Sequence, residues 1–309
     1  MKIVVLKTYT DDTRIYWATL PPLGHEVIPL QYDHLPHDRH SEVITATSEL
    51  KPDLLIFIGA VESSHGRPIL RLDSLKKLAD VAPMIHMCGD AGDEPWWDML
   101  IEYDRAGCFV AQVSIDGNFN TPINDFKNGI IKLCPVDPRE FTNRQTWTDR
   151  KHFIGLTGNA GHGRRGEMMR YVSGLPETTW IQNVSYHDYA NFMCNCKVIV
   201  NCPMRGSAQG DHVKARVVET GWAGACLLEA GNTHTARWFT PGVEYLEYAH
   251  FDEIRMLVHM KDSIDLRYLA MRFHEKVSKE HNPQKFWNDV FSKAAKNMMT
   301  DPRILEIPA

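Results

Sequence analysis

Short runs of consecutive apolar residues alternate along most of this chain with stretches whose apolar positions fall three and four apart. In the first half the runs are "KIVVLK" (2–7), "DLLIFIG" (53–59), "APMIHMCGD" (82–90) and "GCFVAQV" (107–113), each ending in a polar or glycine-containing loop. Strands buried on both faces of a parallel sheet have this unbroken apolar character. "SEVITATSEL" and "RLDSLKKLADV" carry the helical spacing and suit crossover helices between those strands. The alternation predicts a doubly wound sheet with its functional loops at the carboxyl ends of the strands.

"KLCPVDPREFTNRQTWTDRKH" (132–152), polar and interrupted by two prolines, breaks the pattern and is the best linker candidate. A second β/α series follows: "KHFIGL", a helix through 172, "TTWIQN" (178–183), "SYHDYANFMCNC", "KVIVNC" (197–202), a helix around "HVKARVVETGWAG", "ACLLEA" (225–230) and closing helices from about 251 to 298. The expected architecture is α/β, with two Rossmann-like doubly wound parallel-sheet domains facing a central cleft. The expected bounds are 1–138 for the first, 139–150 for the linker and 151–309 for the second with its C-terminal helices. A chain of 309 residues is long for one hydrophobic core, which agrees with two domains.

Composition removes several classes. No run approaches the roughly 20 apolar residues that cross a bilayer, and the apolar stretch in "MKIVVLKTYTDDTR" suits a first strand better than a signal peptide. Seven cysteines without framework spacing point to free thiols in a reducing compartment, so a cytoplasmic location is expected. The 15 histidines form no H-E-x-x-H set, and Cys194 and Cys196 lead into an apolar strand, so no metal site is assigned. The net charge of −5 lies in the first half, which is clearly acidic, whereas the second is slightly basic. That balance places an anion site in the second half and disfavours duplex nucleic acid as a partner.

"IGLTGNAGHGRRGEMMRYV" (154–172) is the candidate anion loop: an apolar strand, Gly158, Asn159, Gly161 and Gly163, then Arg164 and Arg165 opening a helix. Glycines after a strand let backbone approach a phosphate, and the helix N-terminus adds unpaired N–H groups and a positive dipole end. The order of the glycines departs from G-x-G-x-x-G, and the second strand ends in Gln182 and Asn183 where a dinucleotide site needs an acidic residue. Gly158-x4-Gly163 has P-loop spacing, yet arginines follow where Lys and Ser/Thr would hold phosphate and Mg²⁺. Two arginines suit a diphosphate held by forked guanidinium contacts; the plain alternative is a glycine turn with solvated arginines. Downstream, "DHVKARVVETGWAGACLLEA" places Asp211 and Glu219 eight positions apart, about two helical turns, so that both can face one elongated ligand. Glu219 can accept both hydroxyls of a ribose, and Lys214 or Arg216 can meet the phosphates. Glu219 also stands among apolar and small residues, a costly place for a charge without a partner.

Three segments resemble the GT-B glycosyltransferases, and more narrowly the CgeB-like group related to glycosyltransferase family 4 (group 1). "CPVDPREF" (134–141) is similar to the family's interdomain "LP-x-x-x-D-P-x-x-F", and "DRKHFIGLTGNAGHGRR" to the opening of its donor domain. "ARVVETGWAGACLLEA" with "FTPGVEYLEYAHFDEIRMLV" is similar to its "R-x-x-E-x-x-A-x-G-A-x-L-L" and "F-x-x-G-x-E-x-x-x-Y-x-x-x-x-E-L" stretches. The resemblance implies ribose binding by Glu219, the second acid of an E-x7-E motif. Asp211 stands in place of its first glutamate, with a shorter side chain. It further implies that Arg216 and one of Arg164 or Arg165 hold the diphosphate. Arg205 and Ser207, in "CPMRGSAQG" (202–210), would lie around the donor sugar.

The sequence contains no D-x-D motif of the kind a metal-dependent transferase uses. The leaving diphosphate would then be stabilised by arginines, lysine and a helix dipole. In the first half, "CGDAGDEPWWDML" puts Asp90 and Asp93 at a strand's carboxyl end beside Trp96 and Trp97, where an acceptor would approach. An inverting enzyme would use one of these aspartates as general base, whereas in a retaining one His86 or Asp90 would touch the sugar. Trp96 and Trp97 could stack on a ring or pack in the core. "GAVESSHGRP" (59–68) and "TYTDDTR" (8–14) would complete the acceptor wall.

The expected function is metal-independent transfer of a sugar from a nucleoside-diphosphate sugar, foremost a UDP-sugar, to a hydroxyl on a small molecule, a glycan or a modified nucleic-acid base. No bound cofactor and no integral membrane contact are expected. The alternatives are a phage-type enzyme acting on a modified DNA base, a nucleotide-sugar 2-epimerase, and a non-catalytic nucleotide-sugar binding protein.

Overall fold

The computed structural model describes residues 1–7, 14–32, 39–59, 70–158, 163–203, 212–231, 234–261 and 264–299. The chain divides into two compact units, residues 1–135 together with 283–309, and residues 136–282.

The first unit is built on a six-stranded parallel sheet in the order β2-β1-β3-β4-β5-β6. Its strands are β1 (Lys2–Lys7), β2 (Glu26–Gln31), β3 (Leu54–Ile58), β4 (Met84–Cys88), β5 (Ala111–Ser114) and β6 (Gly129–Ile131). The central strands β3 and β4 are buried at every position, which their unbroken apolar runs require. The helices are α1 (Arg14–Trp17), α2 (His40–Leu50), α3 (Leu72–Val81) and α4 (Trp97–Ala106). One face of the sheet packs Val4, Leu55, Phe57 and Met84 against Val43 of α2, Leu75 and Leu78 of α3 and Tyr103 of α4. The two strands absent from the sequence reading, β2 and β6, are the sheet's edges. Pro29 lies within β2, and an edge strand tolerates a residue that cannot donate to the ladder.

The second unit holds a five-stranded parallel sheet in the order β11-β10-β9-β7-β8. The strands are β7 (His152–Thr157), β8 (Thr178–Ile181), β9 (Cys196–Asn201), β10 (Cys226–Ala230) and β11 (Leu246–Tyr248). Around it lie α5 (Gly163–Ser173), α6 (Tyr186–Cys194), α7 (Ala215–Ala223), α8 (Thr235–Trp238), α9 (Phe251–His259) and α10 (Leu266–Glu280). Met168, Met169 and Val172 of α5 and Ile254, Leu257 and Val258 of α9 share one core with Ile154, Leu156, Val198 and Val200. Helices α7 and α10 touch so closely that a Cβ built on Gly221 would lie 2.5 Å from Val277 Cγ2.

Two features differ from the organisation expected above. Residues 139–150, read as a linker, are part of the second unit, with Phe141 and Arg150 buried and Phe141 edge-on to Tyr186 of α6. The last helix, α11 (Pro283–Met299), belongs with the first unit and not with the domain that precedes it. There the Trp287 indole N–H donates to Thr19 Oγ1 (2.8 Å), Asn297 Nδ2 donates to the Val110 carbonyl (2.8 Å), and Lys132 pairs with Asp289. All seven cysteines are buried and none forms a disulfide. No helix of the described residues is long and apolar enough to cross a membrane.

Candidate functional site

In an open parallel sheet, ligands lie beyond the carboxyl ends of the strands where the strand order reverses. In the second unit that point falls between β7 and β9, and it is where Gly158, Arg165 and Arg216, among the expected donor residues, meet. Gly158, directly after β7, has φ +89°, a left-handed conformation that favours glycine. Its N–H donates to the Ile181 carbonyl (3.1 Å) and its own carbonyl accepts from the Trp180 indole (2.8 Å), which fixes the turn against β8. Two guanidinium groups converge over its α-carbon. A Cβ built there would lie 2.9 Å from Arg165 Nη2 and 3.1 Å from Arg216 Nη2. Glycine therefore both permits the turn and leaves room for two cations beside the backbone.

Arg216 is held from the neighbouring strand end. Its Nη1 donates to Asn201 Oδ1 (3.0 Å), Asn201 Nδ2 donates to Glu229 Oε2 (2.8 Å), and Thr235 Oγ1 donates to Glu229 Oε1 (3.3 Å). Asn201 and Glu229 are fully buried, so this chain is a rigid anchor for the guanidinium. Arg216 Nε is buried and has no partner among the described residues. Asn201 and Glu229 were missed in the sequence, although an Asn ending "KVIVN" and a Glu inside "ACLLEA" are polar residues in strands otherwise apolar, a signal of buried pairing.

Helix α7 begins at Ala215, with Lys214 as an extended N-cap that makes no side-chain cap and with no acidic residue in the first turn. No acidic residue of its own first turn offsets the helix's positive end. This start corrects the expectation that Asp211 and Glu219 share a helix, because residues 212–214 are not helical. His212 and Val213 are consecutive and both buried, which suits an extended approach to the helix. Glu219, 4% exposed, faces α6: its Oε1 accepts from Tyr186 Oη (2.9 Å) and its Oε2 from Tyr189 Oη (2.5 Å). The two rings stack with centroids 5.7 Å apart. Burial pushes the Glu219 carboxyl above the usual range, opposed by the two tyrosine hydroxyls and by Arg216. Each oxygen keeps a second lone-pair direction, so the carboxylate can still accept from a ligand hydroxyl.

Gly163 opens α5. Asn159, Gly161, Arg205, Ser207 and Asp211 lie outside the described residues, as does the side chain of Arg164. "TYTDDTR" and "GAVESSHGRP" fall almost wholly outside them as well.

In the first unit, Asp90 and Asp93 follow β4. The Asp93 N–H donates to the Asp90 carbonyl (3.0 Å) and the Trp96 N–H to the Asp93 carbonyl (3.0 Å), closing two successive turns. Trp96 and Trp97 are half-buried against Cys88, Ala91, Leu100 and Ile123, and the Trp97 indole donates to the Ala91 carbonyl (3.1 Å). Both rings are thus engaged in packing. His86 is fully buried among Phe57, Tyr103 and Phe109, with ring centroids 5.2–5.6 Å away, and burial lowers its pKa to about 4. It has no exposed surface with which to touch an acceptor, since β4 is a central strand and His86 faces its core. Sequence reasoning passed over Asp116, the residue that organises this loop. Its buried carboxylate accepts from Gly92 N–H (3.0 Å), Asn118 N–H (3.1 Å) and Ser114 Oγ (2.5 Å).

No curated protein matches the chain. Among solved structures it is similar to HepE (Alr3699) of Anabaena, solved with UDP and glucose, at 10% identity and TM-score 0.65 over 94% of this chain and 100% of the other. A glycosyltransferase of Rickettsia africae aligns at 7% identity and TM-score 0.60, over 97% of this chain and 99% of the other. An α-glucosyltransferase solved with UDP-glucose and DNA containing an abasic site aligns at 10% identity and TM-score 0.59, over 96% and 99%. Residues 147–292 match the family described as "Glycosyl transferase-like", and the two parallel-sheet α/β units have the fold of the GT-B glycosyltransferases.

Proposed function

We propose that this protein transfers a sugar from a nucleoside-diphosphate sugar, a UDP-sugar foremost, to an acceptor hydroxyl without a metal ion. The observation that carries this is the convergence of Arg165 and Arg216 over Gly158 at the switch point of the second sheet. In the proposed complex both guanidiniums fork onto the diphosphate, the uncapped start of α7 and Lys214 add positive potential, and Glu219 accepts the ribose hydroxyls. As the bond from the anomeric carbon to the diphosphate oxygen breaks, charge grows on the leaving group, where these fixed donors stabilise it. Arg164, Arg205, Ser207 and Asp211 are assigned to the diphosphate and donor sugar on the motif resemblance alone. Asp90 and Asp93 are assigned to the acceptor side, where one of them takes the hydroxyl proton in an inverting reaction. UDP-glucose complexes of proteins sharing the fold support the choice of donor. The acidic first half favours an acceptor without a phosphate backbone, and the composition suits a cytoplasmic site of action.

UDP release from UDP-glucose, followed in EDTA with and without candidate acceptors, tests this. Release by wild type that is lost in Glu219→Ala and Arg216→Ala is expected. Release only with added divalent cation would contradict metal independence, and conversion of the donor alone to an isomeric sugar nucleotide would identify an epimerase.

A further inference from the structure

The amino ends of the second sheet's strands, opposite the switch-point loops, carry a second concentration of cations. Arg144, Arg150 and Arg267, with His274, Trp147 and Gly224, line a pocket of about 250 Å³ whose apolar wall is Ala270 and Met271. Arg150 is 8% exposed; it donates from Nη1 to the Cys196 carbonyl (2.5 Å) and from Nη2 to the Ala223 carbonyl (2.9 Å), while its buried Nε has no partner among the described residues. Its guanidinium also stands over the Trp147 ring, 5.5 Å from the centroid. Among the described residues no carboxylate pairs with any of the three arginines. His274 adds no negative charge. Its Nδ1 is 2.8 Å from the Gly221 carbonyl, which makes Nδ1 the donor and leaves Nε2 to accept from Arg144 Nη1 (2.8 Å).

A buried guanidinium without a counter-ion is costly unless something supplies the charge. The backbone also leaves the space open: Gly224 ends α7 with φ +62°, and a Cβ there would lie 3.3 Å from Arg150 Nη2 and 3.6 Å from Arg144 Cδ. We propose that this pocket binds the phosphate group of a small phosphorylated organic molecule, at a site separate from the donor site. Several guanidinium forks match the oxygens of a phosphate better than a single carboxylate. The volume exceeds what a bare phosphate fills and falls short of drug-sized pockets, and Trp147, Ala270 and Met271 offer apolar surface to the remainder of the ligand.

The test is calorimetry with inorganic phosphate and with glycerol 3-phosphate on the full chain in the Arg165→Ala/Arg216→Ala background, which removes the proposed donor site. One-to-one binding, tighter for glycerol 3-phosphate, is expected. Adding Arg144→Ala and Arg267→Ala, both at exposed positions, should weaken it on the order of tenfold or more, with the melting temperature unchanged. No binding in the donor-site background, or binding indifferent to Arg144 and Arg267, would overturn the site. Glycerol 3-phosphate binding no tighter than inorganic phosphate would overturn the assignment to a phosphorylated organic molecule.

Discussion

The two sheets share one strand order: the first five strands of the first unit run 2-1-3-4-5, and the five of the second repeat that order in their own sequence. Each therefore has a reversal between its first and third strands. In the second unit that point is furnished with cations: a left-handed glycine, two guanidiniums, and a buried Asn–Glu pair holding one of them. In the first unit the best-defined loop, after β4, is organised around a buried carboxylate, Asp116, and carries two further aspartates. One topology presents positive charge at one strand end and negative charge at the other. The fold supplies the place, and a few side chains with their buried anchors decide what can sit there.

Breaking the second unit's site should have the largest effect. Arg216→Ala removes a charge-assisted contact and should weaken UDP binding on the order of 100-fold by calorimetry, at a stability cost of about 1 kcal/mol because the buried Asn201 Oδ1 loses its donor. Asp116→Ala should do the opposite. It leaves three buried donors without an acceptor, lowers stability by about 2 kcal/mol in urea, and leaves UDP affinity intact. Gly158→Ala imposes a side chain at positive φ and crowds both arginines, so UDP affinity should fall about tenfold and stability by about 1 kcal/mol.

Glu219→Gln sharpens the contrast between binding and folding. Because the folded-state pKa is raised, the wild-type carboxyl stabilises the fold most when protonated, and that contribution is lost as pH rises from its ordinary 4.5 through the raised value. The variant should lack this loss while binding UDP more weakly, as denaturation and calorimetry across pH would show. The smallest effect belongs to His86. Its pKa falls from 6.5 to about 4, so stability should decline as pH drops between those values, and a His86→Phe variant should decline less over that window.

The sheets' central strands were legible because burial on both faces leaves an unbroken apolar signature, as in "KIVVLK" and "KVIVN". The edge strands β2 and β6 and the three-residue β11 were not, being short, partly exposed or interrupted by proline. Gly158, the pair Arg164 and Arg165, Lys214 or Arg216, and Glu219 stood out as candidates from spacing because the chemistry expected of an anion at a helix start is local in sequence. What supports them is not local. Asn201 reaches Arg216 across 15 positions, and Tyr186 reaches Glu219 across 33. His86 was misjudged because a strand's ends and its middle look alike in composition, and only the sheet order shows that this ring faces the core.

The central claim, that the second unit's switch point holds a nucleoside diphosphate through Arg165 and Arg216 without metal, is tested most directly by UDP calorimetry in EDTA. Wild type is compared with the Arg165→Ala/Arg216→Ala protein. One-to-one binding that the double variant loses is the expected result. An absence of UDP binding by wild type, or binding that survives the loss of both arginines, would contradict it.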